Sequence, residues 1–259
     1  PCIACNRYVK WESLLKRGLD IGADYIATGH YARIRRLDNG RFTIANSATP
    51  AKDQTYALYS LTQHQLAHTL MPVGEYTKEE IRAIAEKIGL RVAGKPDSQE
   101  ICFVPDGDYA GFIERYTGKV SRPGKFVDSE GKVLGEHKGI THYTIGQRKG
   151  LNLALGHPVF VTAIRPETNQ VVIGESQDVF GRQVFADRLN FMSIQDLEEP
   201  MEVMAKIRYN HKGAPCRIEK AGEDLVKCTF FEPQRAITPG QALVFYEGGH
   251  VLGGGTIRG

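Results

Sequence analysis

The sequence predicts an α/β segment followed by all-β structure, and three observations predict it. Near the start, helix-spaced apolar residues lead into a short apolar run that ends at a glycine, the pattern of a parallel α/β sheet. A stretch dense in glycine, proline and charge follows from about 118 to 150. Beyond about 181, short alternating runs at even spacing are separated by turns, which suits a small barrel. The expected division is therefore an α/β part over 1–115, a small β-rich part over 116–180 and a barrel over 181–259.

Taken in order, residues 6–19 read as a helix, with Val9, Leu14, Leu15 and Leu19 as its apolar positions and Gly22 after it. Asp24 to Gly29 reads as a short buried strand. Residues 32–45 read as a hairpin turning at Asn39-Gly40, a favoured two-residue turn. Thr77 with Glu80 three residues on forms a capping box. It opens a helix whose apolar face is Ile81, Ile84, Ala85 and Ile88, closed by Gly89. A polar loop over 93–99 leads to Ile101-Cys102-Phe103-Val104, and another helix is expected over 107–116. Short strands are expected around Lys132-Val133-Leu134 and from Pro158 to Ile164. In the barrel, Val203, Ala205 and Ile207 alternate with Met204, Lys206 and Arg208, and strands continue over 216–218, 225–230 and 242–246.

The length, 259 residues, allows two or three domains with real cores. Hydrophobic residues at 41% and charged residues at 24% are ordinary for a globular chain, which argues against a disordered or fibrous one. No run approaches the roughly 18 apolar residues of a membrane span, and no signal peptide is visible. Five scattered cysteines, an odd number, point to a reducing, cytoplasmic setting rather than to disulfide staples. The net charge of +3 decides little. Residues 115–150, however, hold eight Lys or Arg against three acids, which suits a phosphate backbone or an ordinary solvated surface.

Cys2-Ile3-Ala4-Cys5 is a C-x-x-C with three readings. Half a zinc site would need His64 and His68, which lie far from it in sequence. A thioredoxin-like redox pair would precede a helix, as this one does. Alternatively Cys5 acts alone, a thiol at a helix N-terminus being favoured as thiolate and so a competent nucleophile. Cys102, flanked by Ile, Phe and Val, reads by default as a core residue, although the polar loop before it could carry it into a site. Thr28-Gly29-His30 ends the first strand, the edge at which α/β sheets bind ligands. Cys216, Cys228 and Trp11 read as packing residues.

Six strings together resemble the tRNA-specific 2-thiouridylases, in that family's order: Cys5-Asn6 ahead of a Lys/Trp helix, Ala27 to Tyr31, Lys52 to Tyr56, Lys95 to Phe103, Tyr143 to Gly150 and Thr238 to Gln241. The resemblance implies part of an ATP-pyrophosphatase-type α/β domain, a small central domain and a C-terminal β-barrel. It implies ATP-dependent 2-thiolation of the wobble uridine in tRNA, with Cys102 carrying a persulfide and Cys5 as the nucleophile that frees the sulfur and closes a Cys5–Cys102 disulfide. A target base must leave its stack, which favours the anticodon loop. By position, Gly29 would touch ATP. His30, Lys52, Asp53, Gln54, Arg208, Tyr209 and Gln241 would touch tRNA, and Pro1 and Cys2 would lie near the target base. ATP would come with Mg2+, no resident metal centre is implied, and a sulfur-relay protein or cysteine desulfurase would supply the sulfur.

Two departures stand out. The family's Ser-Gly-Gly-x-Asp-Ser phosphate loop is absent from these residues; it is expected upstream of Pro1, and without it productive ATP binding is not expected. The family often has an Asp where this chain has Cys2. Two further readings stay open: another ATP-pyrophosphatase, thiocytidine-forming or amidating, and a non-catalytic tRNA-binding fragment.

Overall fold

The computed structural model describes residues 1–94 and 101–259. The expected polar loop before Cys102 lies largely outside them, at 95–100. In chain order the strands are β1 (Ile26–Ala27), β2 (Ala32–Arg36), β3 (Phe42–Asn46), β4 (Thr69–Leu70), β5 (Gly124–Val127), β6 (Val133–His137), β7 (Phe160–Arg165), β8 (Gln170–Gly174), β9 (Phe180–Phe191), β10 (Met201–Lys206), β11 (Ala214–Gly222), β12 (Leu225–Arg235), β13 (Ala242–Glu247) and β14 (His250–Ile257). They fall into two compact units. One comprises Pro1–Asp97, Gln183–Phe231 and Pro239–Gly259; the other comprises Ser98–Arg182 and Glu232–Thr238.

In the first unit, the strands run β13-β10-β11-β12-β9-β14, and β13 pairs back to β14, closing a six-stranded barrel. Val203 and Ala205 of β10, with Ile207 just after it, are buried while Met204 is exposed, as the alternation predicts. Closure needs a strand that can be squeezed. A Cβ on Gly253 would lie 2.6 Å from Asn190 O, and one on Gly254 would lie 2.6 Å from Leu243 O. Only glycine fits β14 between its neighbours.

The hairpin forms, but not with the expected two-residue Asn39-Gly40 turn: Leu37 N–H donates to Arg41 O at 2.8 Å, so Asp38, Asn39 and Gly40 span the strands, with Gly40 at φ +80°. Unexpectedly, β3 also pairs with β14 through Ala45 and His250, so the hairpin extends the barrel sheet. One core then joins the two sequence regions: Trp11, Leu15, Ile44, Tyr56, Leu58 and Leu66 pack with Val244, Tyr246 and Val251.

The first helix differs from expectation. It begins at Cys2, not residue 6, and runs as α-helix Cys2–Ala4, π-helix Cys5–Leu14 and α-helix Leu15–Asp20. In a π-helix, residues five apart share a face, and Asn6 and Trp11 are the buried pair. Val9 and Leu14, expected on the apolar face, are exposed. The α-helical period was the wrong one for this stretch. β1 is parallel to β4, as an α/β sheet requires, but is two residues long and not buried.

The capping box of Thr77 and Glu80 forms with both hydrogen bonds at helix Lys78–Lys87. Its expected apolar face does not pack: no residue of this helix is buried, and Ile84 and Ile88 are exposed.

In the second unit, helix Tyr109–Thr117 is capped by Asp108, and β6-β5-β8-β7 form a mixed four-stranded sheet. Phe126, Tyr143, Val161, Val171 and Ile173 make its core. All eight basic residues of 115–150 are exposed.

Candidate functional site

The cysteines divide sharply. Cys216 and Cys228 are buried in the barrel, where the Cys216 Sγ donates to Val203 O at 3.5 Å and its proximity, with burial, pushes the Cys228 thiol up. Cys2 and Cys102 are exposed and Cys5 is half-buried. Cys102 is thus not the core residue its neighbours suggested. It sits in a turn closed by Val104 N–H donating to Ile101 O at 2.8 Å. Cys5 does not precede a helix. It lies within the helical run, and its amide already donates to Pro1 O at 2.8 Å. The helix-start argument therefore belongs to Cys2, the first residue of that run. Cys5 and Cys102 fall in different units. Among the described residues, no three His, Cys, Asp or Glu side chains are grouped to hold a metal ion. The His64 and His68 rings lie 4.5 Å apart, tilted by 49°, at a short helix.

Gly29 and His30 follow β1. Gly29 is exposed, and nothing lies within 4 Å of where a Cβ would stand, so a ligand can approach its backbone. His30 is buried against Trp11, with ring centroids 5.5 Å apart. Lys10 Nζ lies 3.4 Å from His30 Nε2, and Thr28 Oγ1 lies 2.9 Å from Nδ1. An ammonium can only donate, so Nε2 accepts and Nδ1–H donates to Thr28. Burial, helped by the Lys10 charge, lowers the His30 pKa to about 4, and the ring is neutral at physiological pH. Trp11 is itself fixed by Nε1–H donating to Thr69 Oγ1 at 2.7 Å.

The loop carrying Lys52, Asp53 and Gln54 is tied down by its own side chains. Asp53 Oδ2 accepts from Ser47 N–H at 2.9 Å, and Oδ1 accepts from Thr55 N–H at 3.1 Å and the Thr55 hydroxyl at 2.5 Å. Gln54 Oε1 accepts from Tyr31 N–H at 2.9 Å. The barrel meets this loop at Tyr209, whose hydroxyl donates to Asp53 O at 3.3 Å and whose ring stands edge-on to Tyr56 at 6.1 Å. Tyr56 in turn donates to Ala242 O at 2.8 Å, next to the exposed Gln241, and feels the charge of Arg208. Burial pushes the Tyr209 phenol up, with the Asp53 charge and then Cys2 adding to it. The first unit therefore gathers Asp53, Gln54, Arg208, Tyr209 and the Gln241 turn at one barrel edge.

Sequence reasoning missed Lys10 beside His30, which carried no signal of its own.

Residues 1–106 match the family described as "tRNA methyl transferase HUP domain", 110–175 the "tRNA methyl transferase PRC-barrel domain", and 182–257 the "Aminomethyltransferase beta-barrel domain". That order, a HUP domain, a PRC-barrel-like middle domain and a C-terminal β-barrel, is the class of protein the fold defines. The chain is 67% identical over 257 residues to the "tRNA-specific 2-thiouridylase MnmA" of Lachnoclostridium phytofermentans, covering 99% of this chain and 72% of that protein. It is 55% identical to the protein of that name in Carboxydothermus hydrogenoformans, covering 100% and 71%, and 56% identical to that in Acetivibrio thermocellus, covering 100% and 72%. The chain belongs to the tRNA-specific 2-thiouridylase family.

Proposed function

We propose that this protein carries out ATP-dependent 2-thiolation of the wobble uridine of tRNA, with Cys102 and Cys5 as its two working sulfurs. The observation that carries the proposal is the 67% identity, over nearly the whole chain, to a protein named a tRNA-specific 2-thiouridylase. The cysteine environments support sulfur chemistry over the methyl transfer in the family descriptions: three thiols are reachable and two are sealed in the barrel.

In this reading the uridine C2 oxygen is activated as an adenylate, so that AMP can leave. The terminal sulfur of a Cys102 persulfide attacks C2, forming the C2–S bond as the C2–O bond breaks. The Cys5 thiolate then attacks the Cys102 Sγ. The S–S electron pair stays with the sulfur on C2, giving 2-thiouridine, and the two cysteines are oxidised to a disulfide. Hydrogen sulfide released from the persulfide is a variant of the second step.

Gly29 would accept the nucleotide, its open backbone fitting a close approach. Mg2+ would accompany the phosphates rather than occupy a protein cage. His30, Lys52, Asp53, Gln54, Arg208, Tyr209 and Gln241 would form the tRNA surface, with Pro1 and Cys2 near the target base. The neutral His30 ring would act by holding Lys10, and the Asp53 carboxylate by shaping the loop that presents Lys52. A sulfur-relay protein or cysteine desulfurase would load Cys102. Among the described residues no helix is long and apolar enough to cross a membrane.

The test is to make Cys5→Ser and Cys102→Ser separately in the complete gene product and measure 2-thiouridine in tRNA by mass spectrometry. Both are expected to lose it. Normal levels in either variant overturn the two-cysteine reaction.

A further inference from the structure

The reaction proposed above uses one thiol of the Cys2-Ile3-Ala4-Cys5 motif and gives the other no chemistry. Cys2 is exposed and Cys5 is half-buried. The backbone between them is helical. Ala4 stands at φ −64°, ψ −42° and Cys5 at φ −61°, ψ −46°, and the Cys5 amide donates to Pro1 O at 2.8 Å. Residues three apart in such a turn share a face, with Cα atoms about 5 Å apart. That separation lies inside the roughly 4.4–6.8 Å that a disulfide spans. The turn itself is held by the fold: Ile3 packs against the shared core, and Asn6 Nδ2–H donates to Ala57 O at 3.0 Å. An exposed thiol therefore stands one turn from a half-buried one, on an anchored helix.

Sulfur exchange needs an accessible attacking thiolate and a disulfide sulfur within its reach. One round of the proposed reaction leaves Cys5 joined to Cys102, a residue of the other unit. Cys102 cannot accept new sulfur until it is a thiol again. An external reductant meets that disulfide only by collision. For Cys2 the attack on Cys5 is intramolecular, and a short tether gives it a high effective concentration.

We propose that Cys2 is the resolving thiol of the reaction. Its thiolate attacks the Cys5 Sγ of the Cys5–Cys102 disulfide. The Cys2–Cys5 S–S bond forms as the Cys5–Cys102 bond breaks, and the electron pair leaves on Cys102 as a thiolate. The step consumes no oxidant or reductant, and it frees Cys102 for the next persulfide. The disulfide now lies within one helical turn, with the exposed Cys2 Sγ open to attack. A dithiol reductant attacking there returns both sulfurs to thiols and is itself oxidised to a disulfide. The proposal rests on the two-cysteine reading given above and adds a third sulfur to it.

The experiment takes the persulfide-loaded complete gene product through one turnover with ATP and tRNA, without reductant. Samples are acid-quenched at successive times, free thiols are alkylated, and disulfides are mapped by mass spectrometry. In the parent, Cys5–Cys102 is expected first. Its loss is then matched by a gain of Cys2–Cys5 and of free Cys102, with the total staying at one disulfide for each 2-thiouridine. In Cys2→Ser the disulfide is expected to remain at Cys5–Cys102. A parent disulfide that stays at Cys5–Cys102, as in that variant, overturns the resolving role. The pairing is also tested without turnover, by treating Cys102→Ser with oxidised glutathione. Closure of Cys2–Cys5 is expected, with loss of both free thiols together; glutathione left on either cysteine without closure overturns the proposal. Should Cys2→Ser not fold, the parent time course and the glutathione reaction still decide it. 2-Thiouridine formed with no disulfide among the three cysteines overturns the two-cysteine reading itself, which is a distinct result.

Discussion

Strand β13 buries five residues in succession, Ala242 to Tyr246, whereas helix Lys78–Lys87 buries none and leaves Ile84 and Ile88 in solvent. The barrel is sealed on both sides of that strand by β10 and β14, and its glycine-lined closure leaves no slack. The helical segments hold to the same unit through a few anchors: Trp11 on Thr69, Asn6 on Ala57 O, and Leu15 in the shared core. The sulfurs follow the same split, with Cys216 and Cys228 sealed and Cys2, Cys5 and Cys102 within reach of a partner. The cysteines proposed for chemistry lie outside the barrel strands and are open to solvent at least in part.

That contrast can be broken by substitution. Cys5→Ser is expected to lower the rate of 2-thiouridine formation by on the order of 10³-fold or more, as loss of a nucleophile does. Cys216→Ala should leave the rate unchanged while lowering stability; a Cys216 variant that folds but cannot thiolate would erase the division.

On stability alone, Phe245→Ala in the sealed barrel is expected to cost about 3–5 kcal/mol by chemical denaturation. Ile84→Ala on the open helix should stay within about 0.5 kcal/mol. Equal losses would mean the helix face is packed after all.

His30 sharpens the comparison through pH. Its folded pKa, about 4, lies below its ordinary value of 6.5, so below pH 6.5 the unfolded chain binds a proton that the folded chain refuses. The stability tied to the neutral ring is present above 6.5 and is lost as pH falls towards 4, by about 3 kcal/mol in full. The difference in unfolding free energy between the parent and His30→Asn should therefore slope across pH 6.5 to 4. A flat difference would show that the ring protonates freely.

A smaller loss than at His30 is expected at the junction between the two regions. Asp53→Ala strands the Ser47 and Thr55 donors and is expected to cost about 1–3 kcal/mol, with weaker tRNA binding from a loosened Lys52 loop. Stability equal to the parent's would remove Asp53 as the organiser of that loop.

Local signals in the sequence transferred well to the structure. The Thr77–Glu80 capping box and the alternation of 203, 205 and 207 depend on neighbours a few residues away, and each forms; the hairpin at Asn39-Gly40 also forms, with a turn one residue longer than expected. Long-range relations did not show. Nothing local links Ala45 to His250, or Tyr209 to the Asp53 loop, because those contacts exist only once the barrel closes. The π-helical stretch misled a reading based on α-helical spacing, making Val9 and Leu14 look buried when Asn6 and Trp11 are. The family strings located the proposed site residues, but the hydrogen bonds at His30 and Asp53 came only from the fold.

The central claim is that the outer sulfur of a Cys102 persulfide goes to uridine and that Cys5 releases it. It is tested most directly by a single turnover of persulfide-loaded protein with ATP and tRNA, counting 2-thiouridine and the Cys5–Cys102 disulfide by mass spectrometry in the same sample. The account predicts one disulfide for each 2-thiouridine formed. Thiolated tRNA appearing while both cysteines remain reduced would contradict it.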